Sequence, residues 1–190
     1  MNTPAHAVAG LLLLAGPGRS RLILPVFLGS IAPDLPMILF YAQAKLLARL
    51  PEDQIWSQAY YHPWWQAVFD LAGSLPLIAL GAVLARFLGW TRSFFFLAAL
   101  GLHALADLLL HHHDAHRHFL PFSDWRFLSP VSYWDPAHYG AYAAPLEAGL
   151  VLLGSVILWR RFSDPGPRLL VTCLVAVYIV YGIYVFLVWV

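Results

Sequence analysis

The sequence is short of charge. Of its 190 residues, 11% are Asp, Glu, Lys or Arg, where soluble domains carry about 25%. With 61% of the residues hydrophobic, that shortage excludes an ordinary water-soluble domain and points to a polytopic membrane protein. A net charge of +1 offers no basic surface, so no nucleic-acid partner is expected. Cysteine is almost absent: Cys173 stands alone in an apolar run. This rules out an intramolecular disulfide and a multi-thiolate metal site. No basic stretch precedes Leu11 to Leu14, so the start does not read as a standard signal peptide. Internal repeats and low-complexity linkers are absent as well. The length suits one domain, and residues 1–190 read as a single integral membrane domain.

What the chain does have is ordered apolar segments, aromatic residues and histidine. Residues 4–15 are mostly apolar and end at Gly16-Pro17-Gly18; as a helix they reach only about 18 Å, short of the roughly 30 Å hydrocarbon core. Leu22 to Tyr41 is interrupted by Pro33-Asp34-Leu35-Pro36, which predicts a break or kink. The two segments read as a hairpin of short or broken helices that sets His6 and Asp34 at one depth. Residues 42–65 are more polar and aromatic and read as an interfacial helix and loop. Full spans are expected over about 66–88, 93–110, 141–159 and 169–190. The expected class is therefore all-α, a polytopic helical bundle of about four full spans plus the N-terminal hairpin.

Charge orients this bundle. Arg19, Arg21, Arg86, Arg92, Arg160, Arg161 and Arg168 fall in three turns, which the positive-inside rule places in the cytoplasm. The polar, aromatic loop at about 111–140 is too long to be a mere connector. It then faces the extracytoplasmic side of a membrane, expected to be a bacterial inner membrane.

Seven of the nine histidines lie between Leu102 and Gly140. His103, Asp107 and His111 are spaced i, i+4, i+8 and share one helix face. Neutral imidazole and carboxylate are natural ligands of divalent ions, and ionisable groups inside a span mark function by default. The candidate metal ligands are His6, Asp34, His62, His103, Asp107, His111, His112, Asp114 and His116. Each has a plainer reading too. His6 suits an interfacial polar residue, Asp34 a helix cap, His62 an aromatic-belt residue, and His103 with Asp107 a hydrogen-bonded structural pair. Arg117 and Arg126 are the only arginines of the long loop. Beside a metal they suit a phosphoester substrate; alternatively they pair with Asp114, Asp124 or Asp135. Asp70, Glu147 and His138 stay outside the expected site.

The stretch Gly29 to Pro36 (G-S-x-x-P-D-L-P), His6 in its short apolar segment, His62 near aromatic residues, His103-x-x-x-Asp107 and Pro121-Phe122-Ser123 resemble the membrane-bound metal-dependent hydrolases of the YdjM-like family over most of the first 125 residues. The ligand order is more distantly similar to that of zinc-dependent phospholipase C and the single-strand-specific nucleases. That likeness implies metal positions at His6, Asp34, His62, His103, Asp107 and one later histidine. The chain departs from it where those enzymes carry His-x-x-x-Glu, because His138 is followed at that spacing by Tyr142. A missing position is then rebuilt by His112, Asp114 or His116.

The expected function is hydrolysis of an ester or phosphoester, in a small-molecule or lipid substrate, by water activated on zinc (one or two ions) or manganese. Asp34 or Asp107 is the expected metal bridge or general base, and Arg117 or Arg126 the expected stabiliser of phosphoryl oxygens. Membrane lipids are the expected surroundings. A non-catalytic metal-binding or metal-transport protein uses the same ligands, and a pH-sensing subunit needs only the histidines.

Overall fold

A bilayer core offers no water to backbone N–H and C=O groups, so a chain this apolar satisfies them inside helices. The computed structural model does so. It describes residues 1–16 and 18–189 and, among these, contains helices and connections but no strand. The helices are α1 (Thr3–Leu14), α2 (Ser20–Ile31), α3 (Leu35–Ala42), α4 (Glu52–Ser57), α5 (Pro63–Ala72), α6 (Leu75–Phe87), α7 (Thr91–Leu110), α8 (Gly140–Arg161) and α9 (Pro165–Trp189). Five stretches are long and apolar enough to cross a membrane: Ser20–Leu47, Pro63–Phe87, Thr91–Leu110, Gly140–Arg161 and Pro165–Val188. At most 28% of any of them is buried within the protein. The outer face is Leu, Val and Phe, with Leu24 62% and Phe87 85% exposed. A soluble monomer does not show a continuous apolar surface of this extent, and such a surface suits a membrane protein.

The all-α bundle forms as expected, with two differences in how its spans run. Pro33 and Pro36 interrupt the α-helix of the second arm, as expected, but do not end the span. The chain tightens through one 3₁₀ turn at Ala32–Asp34 and continues, so α2 and α3 run as one rod, Ser20–Leu47. Each proline sits at the start of the helical segment that follows it, where its missing N–H has no partner to lose. Only α1 is short. Conversely, the span expected over 66–88 is interrupted at Gly73–Ser74. There Ser74 Oγ accepts from the Leu77 N–H (3.5 Å) and caps α6. In the turn after α1, Gly18 takes φ 74°, a left-handed conformation that glycine adopts freely; Pro17 of that turn and Val190 lie outside the described residues.

Lipid tails are as apolar as leucine, so helices in a bilayer associate through close packing of small residues. α2 packs mainly on α7, and α1 lies against both α2 and α8. Gly29 makes the closest approach to another helix's backbone: a Cβ there would stand 2.1 Å from the Phe96 carbonyl oxygen on α7. Gly10 meets Ser30 in the same way, and Gly154 on α8 meets Val8 and Leu12. The arginine-bearing turns gather at one end. The Arg19 guanidinium lies over the Phe95 ring at 5.9 Å, and Arg161 Nη1 donates to the Leu12 carbonyl at 2.9 Å. The other end carries the 111–139 loop and the segment 48–62, where Glu52 gathers Lys45 Nζ (2.8 Å), Tyr41 OH (2.8 Å) and Trp56 Nε1 (3.1 Å).

Candidate metal centre

Three helical segments meet below that second end. α1 brings His6, the turn between α2 and α3 brings Asp34, and α7 brings His103 and Asp107 from one face, four residues apart. The register of α1 is set from α8. Glu147, buried, accepts from the Asn2 backbone N–H (3.1 Å) and from Asn2 Nδ2 (2.6 Å). This pins the start of α1 one turn before His6. The His6 and His103 rings then stack at 3.5 Å and 11°. One ligand atom from each of His6, Asp34 and His103 lies within 4.8 Å of the other two. Asp107 closes the group, with Oδ1 3.0 Å from His6 Nε2 and Oδ2 2.9 Å from His103 Nε2. Asp34 Oδ1 is 3.5 Å from His103 Nε2. The Met1 amine and His111 Nε2 reach Asp107 Oδ1 at 3.2 and 3.3 Å.

The protonation of His103 follows from its other nitrogen. Nδ1 is 2.6 Å from the Ser30 carbonyl oxygen, which only accepts, so Nδ1 carries a proton and Nε2 is the nitrogen turned toward Asp107 and Asp34. A backbone carbonyl holding the far nitrogen of an imidazole is the usual support of a metal-ligating histidine. His6 Nε2, His103 Nε2 and Asp34 Oδ2 are buried without any hydrogen-bond partner. Their contacts with neighbouring oxygens are close but not aligned as hydrogen bonds. A divalent cation among them would satisfy all three at once. Imidazole nitrogens beside carboxylate oxygens are a donor set that fits such an ion. Asp34 makes no capping hydrogen bond to α3, so the cap reading of this residue does not describe it.

Of the remaining candidates only His111 touches this group, through Asp107. His111 Nδ1 pairs with Asp114 Oδ2 at 2.8 Å, and Trp134 Nε1 donates to the same oxygen at 3.1 Å. Burial disfavours the His111 cation, but the Asp107 and Asp114 carboxylates outweigh it and push its pKa up to about 9. Burial likewise opposes the Asp114 anion, and His111 outweighs it, holding Asp114 at about 2. Without a metal, His111 is thus a cation between two carboxylates, and Asp114 serves His111 rather than the centre. His112 donates to the Ser129 carbonyl (2.6 Å), on the loop side. His116 Nδ1 lies 3.4 Å from Asp70 Oδ1. His118 donates to the Gly73 carbonyl (3.0 Å), made available by the break between α5 and α6; burial lowers its pKa. His62 is exposed at the start of α5, where Nδ1 accepts from the Trp64 N–H at 3.3 Å. A histidine at the first cap position of a helix is spent on that helix, so His62 does not join the centre.

Arg117 and Arg126 also have another task. Asp70, fully buried, accepts from the Arg117 N–H (2.9 Å) and Nε (2.6 Å), and Arg126 Nη2 lies 3.5 Å away. Arg117 Nη1 reaches Asp124 (2.8 Å), and Arg126 Nη1 donates to the Ala115 carbonyl (2.6 Å). The two guanidiniums fasten the loop to α5 instead of facing the centre as a phosphoryl clamp. Asp70 is the residue that sequence reasoning passes over. It is an ionisable group just inside a span, and the rule that flags Asp34 and Asp107 applies to it equally. Asp70→Ala is expected to remove the buried carboxylate that both guanidiniums share, leaving Arg117 with Asp124 and Arg126 with the Ala115 carbonyl, and to destabilise the protein by about 1–3 kcal/mol. Faster proteolysis of the 115–128 loop in detergent, with the metal content of the centre retained, is the result that checks this.

No family model, curated protein or solved structure matches the chain.

Proposed function

We propose that this protein is a membrane-embedded, metal-dependent hydrolase acting on an ester or phosphoester, with a lipid as the leading substrate class. The observation that carries the reading is the convergence of buried, partnerless His6 Nε2, His103 Nε2 and Asp34 Oδ2 beside Asp107. Zinc suits two imidazoles and two carboxylates best, with manganese second. A bound ion of this kind supplies a water of lowered pKa and polarises the scissile group. Asp34 would bind the ion through Oδ2 and accept the proton of the attacking water at its other oxygen, Oδ1. Asp107 presents both carboxylate oxygens, one to each histidine, and holds the pair in register. Exposed Phe122, Trp125, Trp134 and Trp64 ring the same end and suit a substrate held at the lipid–water interface. The arginine turns lie at the opposite end, so the positive-inside rule opens the centre to the extracytoplasmic side. The reading agrees with the YdjM-like resemblance, whose motifs supply Asp34, His103 and Asp107.

The test is turnover by detergent-purified, zinc-loaded protein on a panel of phospholipids and chromogenic phosphodiesters and esters. Chelator is expected to abolish hydrolysis and re-added zinc to restore it, while His103→Ala lowers turnover by about 100-fold or more. Metal uptake into proteoliposomes with no turnover on any member of the panel would replace this reading by transport.

A further inference from the structure

We propose that His112, His113 and His138 form a second divalent-cation site, of the zinc class, which clasps the two ends of the 111–139 loop and is separate from the buried centre. One ring nitrogen from each of the three lies within 4.8 Å of the others. His112 and His113 lie two and three residues after α7, and His138 lies two residues before α8, so an ion here joins the exit of one span to the entry of the next.

Two of the three rings are held as metal-binding imidazoles are held. His112 Nδ1 donates to the Ser129 carbonyl at 2.6 Å, and His138 Nδ1 is 2.7 Å from Asp135 Oδ2. Both are left with Nε2 as the free donor atom, and the second is the carboxylate–histidine pairing that supports metal ligands. The rings of His112 and His138 stack at 3.6 Å and 19°. Zn–N bonds of about 2.0–2.1 Å place two nitrogens of a tetrahedral site roughly 3.4 Å apart, so a bound ion draws the three ring nitrogens in from their present separation of up to 4.8 Å. His113 stands edge-on to both rings, at 4.5 and 5.1 Å. Its side chain is 64% exposed, which leaves a coordination position to water.

The backbone is bent to make this arrangement. Asp135 Oδ1 accepts from the Ala137 N–H (2.9 Å), and the Ser132 N–H donates to the His138 carbonyl (2.7 Å). Tyr139 takes φ 62°, a left-handed conformation that costs a residue with a side chain and that folds keep mainly at functional positions. The next residue is Gly140, where a Cβ would stand 2.7 Å from the Asp135 carbonyl. This tight turn is what folds His138 back onto His112. Three imidazoles without a carboxylate among the ligands favour zinc, copper or nickel over manganese or magnesium.

The experiment uses full-length protein without a polyhistidine tag. Zinc stoichiometry is measured by mass spectrometry after dialysis, and cobalt(II) substitution is followed by its visible absorption. Wild type, His103→Ala, His138→Gln and His113→Ala are compared. His113 is exposed, so its replacement does not threaten the fold. The expected result is that His138→Gln binds one zinc fewer than wild type, and that His113→Ala weakens one site about tenfold or more. His103→Ala keeps the loop zinc while losing the buried one. Zinc is also expected to slow proteolysis of the loop in wild type and in His103→Ala alike. If wild type, His113→Ala and His138→Gln bind the same number of zinc ions with the same affinity, the loop site does not exist. A failure confined to His103→Ala, with unchanged stoichiometry, would instead count against the buried centre alone.

Discussion

Asp107→Asn is expected to empty the buried centre, weakening metal binding by about 100-fold or more. The substitution keeps the size of the side chain and removes its charge, so packing around α7 is undisturbed and the effect reads electrostatics directly. In the native protein the two oxygens of Asp107 stand 3.0 Å from His6 Nε2 and 2.9 Å from His103 Nε2. Oδ1 also faces the Met1 amine at 3.2 Å and His111 at 3.3 Å. In the proposed centre this carboxylate is both a ligand and the counter-charge for the cations around it. Its loss removes one ligand and leaves His111 with only Asp114. Breaking a buried charge network on one side costs about 3–5 kcal/mol, so the variant should also unfold at lower temperature in detergent. Metal content and thermal unfolding, measured on monodisperse protein, check both effects. Wild-type metal content in Asp107→Asn would remove this carboxylate from the centre.

The second large effect is expected at a residue that touches no ligand. Gly29→Ala places a methyl group 2.1 Å from the Phe96 carbonyl oxygen and 2.9 Å from its carbon. Both atoms belong to the backbone of α7 and cannot rotate away, so α2 must move off α7. The cost of such overpacking is about 1–3 kcal/mol. The consequence for the site is larger than that figure suggests. Ser30 is the next residue, and its carbonyl holds His103 Nδ1 at 2.6 Å; Asp34 lies one turn further along the same rod. Shifting α2 therefore loosens the lock on His103 and displaces Asp34 together. Metal affinity is expected to fall by about 10-fold or more. Gly149→Ala on α8 is the matched control, because nothing lies within 4 Å of a Cβ there, and it should change stability by no more than about 0.5 kcal/mol. Equal metal affinity in Gly29→Ala and Gly149→Ala would show that the α2–α7 contact does not position the centre.

Part of the centre is legible in the amino-acid order. His6, Asp34, His103 and Asp107 are ionisable residues in apolar segments. Such groups need a partner, and the i, i+4 spacing on α7 already puts two of them on one face. The loop is not legible in the same way. In His111-His112-His113-Asp114-Ala115-His116-Arg117-His118 no helical or strand period assigns side chains to faces. Nothing in that order shows that His111 pairs with Asp114, that His112 and His113 meet His138, or that His116, Arg117 and Arg126 surround Asp70. Order along the chain draws His62 toward the centre, whereas in space it caps α5.

The all-α membrane class was determined by the sequence alone, because hydropathy sums residue by residue over each span and a bilayer leaves the backbone no choice but helix. The residue types capable of holding a metal were equally a property of the sequence. Only the tertiary structure decided which of them meet. Gly29 lets α2 approach α7 closely enough for Ser30 and Asp34 to reach His103, Glu147 sets the depth of His6, and Asp70 draws both loop arginines away from the centre. Each of these contacts joins residues more than forty positions apart, and local spacing carries no information over that distance.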